Sequence, residues 1–196
     1  MQNNYVSQRE FIENYAEGKR NFSDTSMQFF DISNLKLADV VFKDCKLLFC
    51  TFRDCDFKNV TFENCTIYFG SFYTGVANNL NFEKSSIELT LFDTFQFSNT
   101  KMKSCNIRWC GIFNSNSSAV DFSTSSHYNL ITDISQLTPR QIEEVTNELM
   151  GSIGRLDIGI KMKLKELIRQ DMQRYNLDRP TGRVDVSYND RNAGVR

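Results

Sequence analysis

Four of the six cysteines fall within residues 41–65, VFKDCKLLFCTFRDCDFKNVTFENC, at positions 45, 50, 55 and 65; the others are Cys105 and Cys110. Thiols in such number suit metal ligation, redox exchange or nucleophilic attack. The spacing argues against all three. Cys-x4-Cys is not the close pair typical of zinc sites, and His127 is the only histidine in the chain. A nucleophile needs a base that is itself oriented by a third group, and one histidine in a serine-rich segment supplies no such set. Paired carboxylates such as Asp54 and Asp56 read as solvated polar surface. The glycine-containing turns at 151–154 and 180–182 lack a phosphate-loop pattern. The sequence therefore names no catalytic residue, no cofactor and no metal ligand, and the expectation is a protein that is not an enzyme.

The spacing itself is the stronger signal. Stepping by five from Phe22 to Ile112 meets only apolar residues, far beyond what a 40% apolar composition gives by chance. Two residues before each member of this central column runs a second column of mostly small residues, and all six cysteines stand in it. The other three columns are dominated by Asp, Asn, Lys, Glu, Ser and Thr. Neither a helix nor a strand has a period of five. A chain that turns a corner every five residues does, because one large and one small inward residue per side fill a narrow square interior. Four sides make a coil of 20 residues, and residues 20 apart stack at about the 4.8 Å spacing of paired strands. Phe42, Phe62, Phe82 and Met102 then form one ladder. Cysteine is here a small buried hydrophobe beside a phenylalanine.

The pattern resembles the pentapeptide-repeat family, through Cys55-Asp56-Phe57, Leu80-Asn81-Phe82, Cys105-Asn106-Ile107 and Val120-Asp121-Phe122. The resemblance covers about residues 20–125 and implies a mainly β fold, a right-handed quadrilateral β-helix of about five coils. Phe replaces the family's Leu at the centre, Cys replaces its Ala beside it, and Ser117 breaks the central column.

The ends carry helix signals. Ser7 and Glu10 have capping-box spacing, with Val6 and Phe11 as a hydrophobic staple, so a short helix over about 8–17 would cap the first coil. Thr138, Pro139 and Gln141 open a second helix that stops near Gly151, with Leu137 and Ile142 as its staple. A third, over about 157–176, places Ile160, Leu164, Leu167, Ile168 and Met172 on one face. The expected organisation is a capping helix over 1–19, the β-helix over 20–130, a helical region over 131–177 and a polar tail over 178–196. His127 is expected in a solvated loop.

One outward column departs from the rule. Two residues after the central column, every twentieth position is large and apolar: Phe29, Phe49, Phe69, Leu89 and Trp109. Stacked, they form a stripe roughly 19 Å tall, with Leu48 and Tyr68 beside it and Tyr73 and Phe113 extending it. Such a stripe needs a cover: the C-terminal helices, a second copy in a homodimer, or a different protein. The leading expectation is a non-catalytic protein–protein interaction module, a scaffold or regulator, whose partner the sequence does not identify. The alternative implied by the resemblance is a DNA mimic that binds a topoisomerase (gyrase). Residues 20–115 hold 10 acidic and 10 basic residues, which speaks against a mimic. A site in the C-terminal helices is the remaining enzymatic alternative, and the chain has no His or Cys after 127. With 23 basic and 24 acidic residues, the composition does not favour a nucleic-acid partner. No apolar run approaches the ~20 residues of a membrane span, and a cytoplasmic setting is the expectation provided the cysteines are free.

Overall fold

A computed structural model describes residues 4–133, 135, 137–163 and 166. The chain divides into two compact units, Met1–Thr146 and Asn147–Arg196.

The first unit is a parallel β-solenoid of about six turns. Its register is 20 residues: Phe22 pairs with Phe42, Phe42 with Phe62, Phe62 with Phe82, and Phe82 with Met102. Each side is a short strand, and three longer ones, Asp56–Glu63, Val76–Glu83 and Asn106–Phe113, continue through a corner. Every member of the central column from Phe22 to Ile112 is at most 3% exposed. The phenyl rings stack down the axis, Phe42 on Phe62 at 4.7 Å and Phe72 on Phe92 at 4.7 Å between centroids. Where the central column shrinks to Ala77, Phe95 fills the space from the small column. A Cβ on Gly75 would come within 2.4 Å of the Phe95 ring, so only glycine fits there.

The five-residue period has a backbone cause. From Asp24 to Asn114, every fifth residue is left-handed, with φ between 48 and 61°. These corner residues stand two places after the central column. Their N–H groups donate to the next coil, as Asp44 N does to Glu63 O at 3.0 Å. Asn and Asp tolerate this conformation better than other residues with a Cβ. They hold ten of the fourteen corners outside the apolar stripe. Some corners also bond along the stack, as Asn59 Nδ2 does to Asp39 Oδ1 at 2.8 Å and Asn79 Nδ2 to Asn59 Oδ1 at 3.0 Å.

The first coil is closed by three devices. The strand Asn4–Val6 pairs with Thr25–Met27. Helix α1 (Gln8–Ala16) starts at Ser7, whose Oγ accepts from Glu10 N, and buries Phe11 against Phe22, Phe30 and Phe42. Two α1 side chains stand in for a further strand. Gln8 exchanges two hydrogen bonds with the Asp31 backbone, at 3.0 and 2.7 Å, and the Tyr15 hydroxyl donates to Lys36 O while accepting from Ala38 N.

At the far end, a 3-10 turn at Ser117–Ala119 breaks the repeat. Asn116 caps the coil below it, exchanging hydrogen bonds with Phe97 N and O at 2.7 and 2.8 Å. The strand Ser126–Ile131 then pairs with Asn106–Gly111. His127 thus lies on a strand, not in a loop, because the 20-residue register resumes after the break and sets it over Ile107.

Helix α2 (Pro139–Arg155) opens with a reciprocal cap: Gln141 N donates to Thr138 Oγ1 and Thr138 N to Gln141 Oε1. It runs past Gly151 rather than stopping there. An interior glycine costs a helix only about 1 kcal/mol, and Glu148 holds Ser152 and Arg155 of the following turn. In the second unit, Asp157 Oδ1 accepts from Ile160 N, starting the helical residues 158–163.

Candidate interaction site

The thiols are structural. All six are free and buried, in the inward small column. Each Sγ faces two carbonyls, one two residues back and one 23 residues back. Cys65 lies 3.3 Å from both Glu63 O and Phe42 O. Ser85 makes the same pair of bonds at 3.0 and 3.1 Å, so a short side chain with a hydrogen to donate is well satisfied at these positions. That refines the reading of cysteine as a plain hydrophobe. Burial pushes the thiol of Cys50 up to about 11 and that of Cys110 up to about 12. Cys45 and Cys65 interact directly. That mutual contact raises Cys65, with burial adding to it, and lowers Cys45, whose Sγ also lies 3.2 Å from Thr25 Oγ1.

Phe29, Phe49, Phe69, Leu89 and Trp109 occupy one corner of five successive coils. All five are left-handed, with φ of 56, 53, 54, 49 and 56°. Their backbones are satisfied, since Phe49 N donates to Tyr68 O at 3.0 Å and Leu89 N to Arg108 O at 3.0 Å. The rings lie flat on each other, Phe29 on Phe49 at 5.2 Å and Phe49 on Phe69 at 4.5 Å, with planes within 8°. Tyr68 meets Phe69 edge-on at 4.6 Å. This stacking leaves the five residues, with Leu48 and Tyr68, half-buried. On the adjoining side Phe113 lies across Gly111, and Leu91 borders the same glycine.

A large apolar side chain is poorly suited to such a corner. A left-handed residue with a Cβ costs roughly 1–2 kcal/mol, and a phenyl ring has no polar atom to recover it by local hydrogen bonding. Trp109 adds a second cost, because its indole N–H is buried with no hydrogen-bond partner among the described residues.

Of the other sequence-derived candidates, Ile160 is half-buried on its helix. Leu164, Leu167, Ile168 and Met172 lie outside the described residues. Sequence reasoning missed the end of the stripe, where Tyr128 meets Trp109 edge-on at 5.2 Å. There Asn106, Arg108, Ser126, His127 and Tyr128 line an open hollow. Two signals were available: 20-residue steps from Met27 end at His127, and the same steps from Leu48 reach Arg108 and Tyr128.

The repeat, the 20-residue register and the left-handed corners make this chain a parallel β-solenoid built on a five-residue repeat, the fold that the resemblance to the pentapeptide-repeat family implies. No protein-family profile and no curated protein matches its sequence. Among solved structures, it is similar to trypsin-treated QnrB1, a plasmid-mediated fluoroquinolone resistance protein, at 12% identity and a TM-score of 0.34, over 66% of this chain and 88% of that one. It is also similar to HetL, a pentapeptide repeat protein involved in heterocyst differentiation regulation from a Nostoc cyanobacterium. That likeness has 11% identity and a TM-score of 0.22, over 64% of this chain and 79% of that one. Likenesses this loose carry no function across. Among the described residues, no helix is long and apolar enough to cross a membrane.

Proposed function

We propose that the chain is a non-catalytic interaction module, a scaffold or regulator that binds another protein through the aromatic corner ladder. The observation that carries this reading is the placement of Phe29, Phe49, Phe69, Leu89 and Trp109 at left-handed corners. Ten of the other fourteen corners between Asp24 and Asn114 use Asn or Asp, the residues that suit the fold. Strain of this kind, repeated in one column, is characteristic of surfaces kept for recognition. Stacked aromatic rings also make effective anchors, since they bring large area with little side-chain entropy to lose.

The charge pattern favours this reading over a DNA mimic. Basic and acidic residues are mixed over the outward columns, and several pair between coils, such as Lys43 with Glu63 at 2.9 Å and Arg53 with Asp31 at 3.5 Å. A mimic needs a continuous anionic surface. The thiols favour it over catalysis, because each is buried and engaged with main-chain carbonyls.

The test is the double variant Phe69→Asp, Trp109→Asp. Side-by-side capture from the native host should lose the partner, or light scattering should show loss of a dimer, while the β-type circular dichroism is kept. Retention of every partner by a folded double variant would refute the ladder as the interface.

A further inference from the structure

The hollow at the end of the ladder has a composition of its own. Its five lining residues offer a guanidinium, an imidazole, a phenol, a hydroxyl and an amide, and no carboxylate. Arg108 is exposed and forms no ion pair with any carboxylate among the described residues. Glu88, one coil below it in register, is engaged instead by the hydroxyl of Ser86 at 3.0 Å. His127 stands in the column that holds Met27, Leu47, Ile67, Ile87 and Ile107 in the coils beneath, yet it is exposed, with no further coil of the repeat over it among the described residues. Tyr128 joins the hollow to the ladder through its edge contact with Trp109.

We infer that this hollow binds a carboxylate carried by the protein partner, so that the ladder recognises an apolar segment with an acidic residue beside it. The single permanent cation fixes the charge class. One planar guanidinium, flanked by neutral donors, matches the fork and the single charge of a carboxylate. A phosphate dianion would call for a second fixed positive charge in the lining. Position fixes the context, because a carboxylate held here lies next to Trp109 and its attached apolar group falls on the ladder.

This inference deepens the function proposed above, and its test does not depend on finding the partner. The chain contains one histidine and one tryptophan, and both flank the hollow. The imidazole NMR signal of His127 and the fluorescence of Trp109 are therefore unambiguous reporters. The full-length protein is titrated at constant pH and ionic strength with N-acetylleucine, with its amide N-acetylleucinamide, with acetate and with inorganic phosphate. A saturable shift with N-acetylleucine is expected, weaker by about tenfold or more for the amide and for Arg108→Gln, the loss of one charge-assisted contact. Acetate is expected to bind the same site more weakly than N-acetylleucine, lacking the apolar group. Arg108 is exposed, so R108Q should fold, and its circular dichroism confirms this. Absence of a saturable shift, equal binding of the amide, unchanged binding by folded R108Q, or tighter binding of phosphate would each overturn the inference. Partner loss in the Phe69/Trp109 variant alongside a negative result here would leave the ladder standing and remove only the carboxylate.

Discussion

At the residue scale, two kinds of large apolar side chain share the repeat, and their backbones separate them. Phe72 sits in the central column, fully buried and stacked between Phe52 and Phe92. Phe69 sits three residues earlier at a left-handed corner, half-buried. The first kind was legible in the sequence as an unbroken period of five. The second was legible only as an exception, a ring where Asn or Asp otherwise stands. The left-handed backbone that makes the exception costly became visible in the structure. The cysteines make a prediction at this scale. Cys50 and Cys110 keep their protons to about 11 and about 12, against an ordinary value of 9.0. Between the ordinary and the folded values, the unfolded chain has lost a proton that the fold retains, so stability falls as pH rises through that window. Denaturant midpoints measured from about pH 8 to 11 should therefore fall less steeply for Cys50→Ala, Cys110→Ala than for the wild type. Identical slopes would mean that these thiols do not stay protonated in the fold.

At the scale of elements, the solenoid's exposed edges decide what the ends must do. A parallel stack leaves unpaired N–H and C=O groups on its first and last coils, which invite unwanted pairing. The capping box at Ser7 and the staple of Val6 with Phe11 announced α1, because caps have a local sequence code. The strand substitutes did not announce themselves. Gln8 against Asp31, Tyr15 against residues 36 and 38, and Asn116 against Phe97 are single side chains with no period and no motif. The hollow was hidden for a related reason: Ser117 ends the apolar run, although the 20-residue register resumes at Val120 and carries on through His127. Replacing Gln8 with Leu should keep the helix while removing both bonds to Asp31. Hydrogen exchange should then quicken at the Asp31 amide, while Phe62 and Phe82, at mid-stack, stay protected. Unchanged exchange at Asp31 would show that Gln8 does not close the edge. In α2, the continuation past Gly151 shows how weak a stop signal one glycine is when the next turn is held by side chains.

At the scale of the whole molecule, two demands are laid on one repeat. The inward columns and most corners serve the fold, and one corner column departs from the rule in five coils running. On the function proposed above, this column is kept for recognition and not for folding. The most direct measurement is the unfolding free energy of Phe49→Asn, Phe69→Asn, Leu89→Asn against the wild type, with Phe72→Ala as the reference for a core loss. Asparagine suits the left-handed corner, so relief of backbone strain should offset much of the lost stacking. The triple variant should stay within about 1–2 kcal/mol of the wild type, whereas Phe72→Ala should lose about 3–5 kcal/mol. A triple variant that loses as much as Phe72→Ala, or more, would show that the ladder belongs to the chain's own core, contradicting the account.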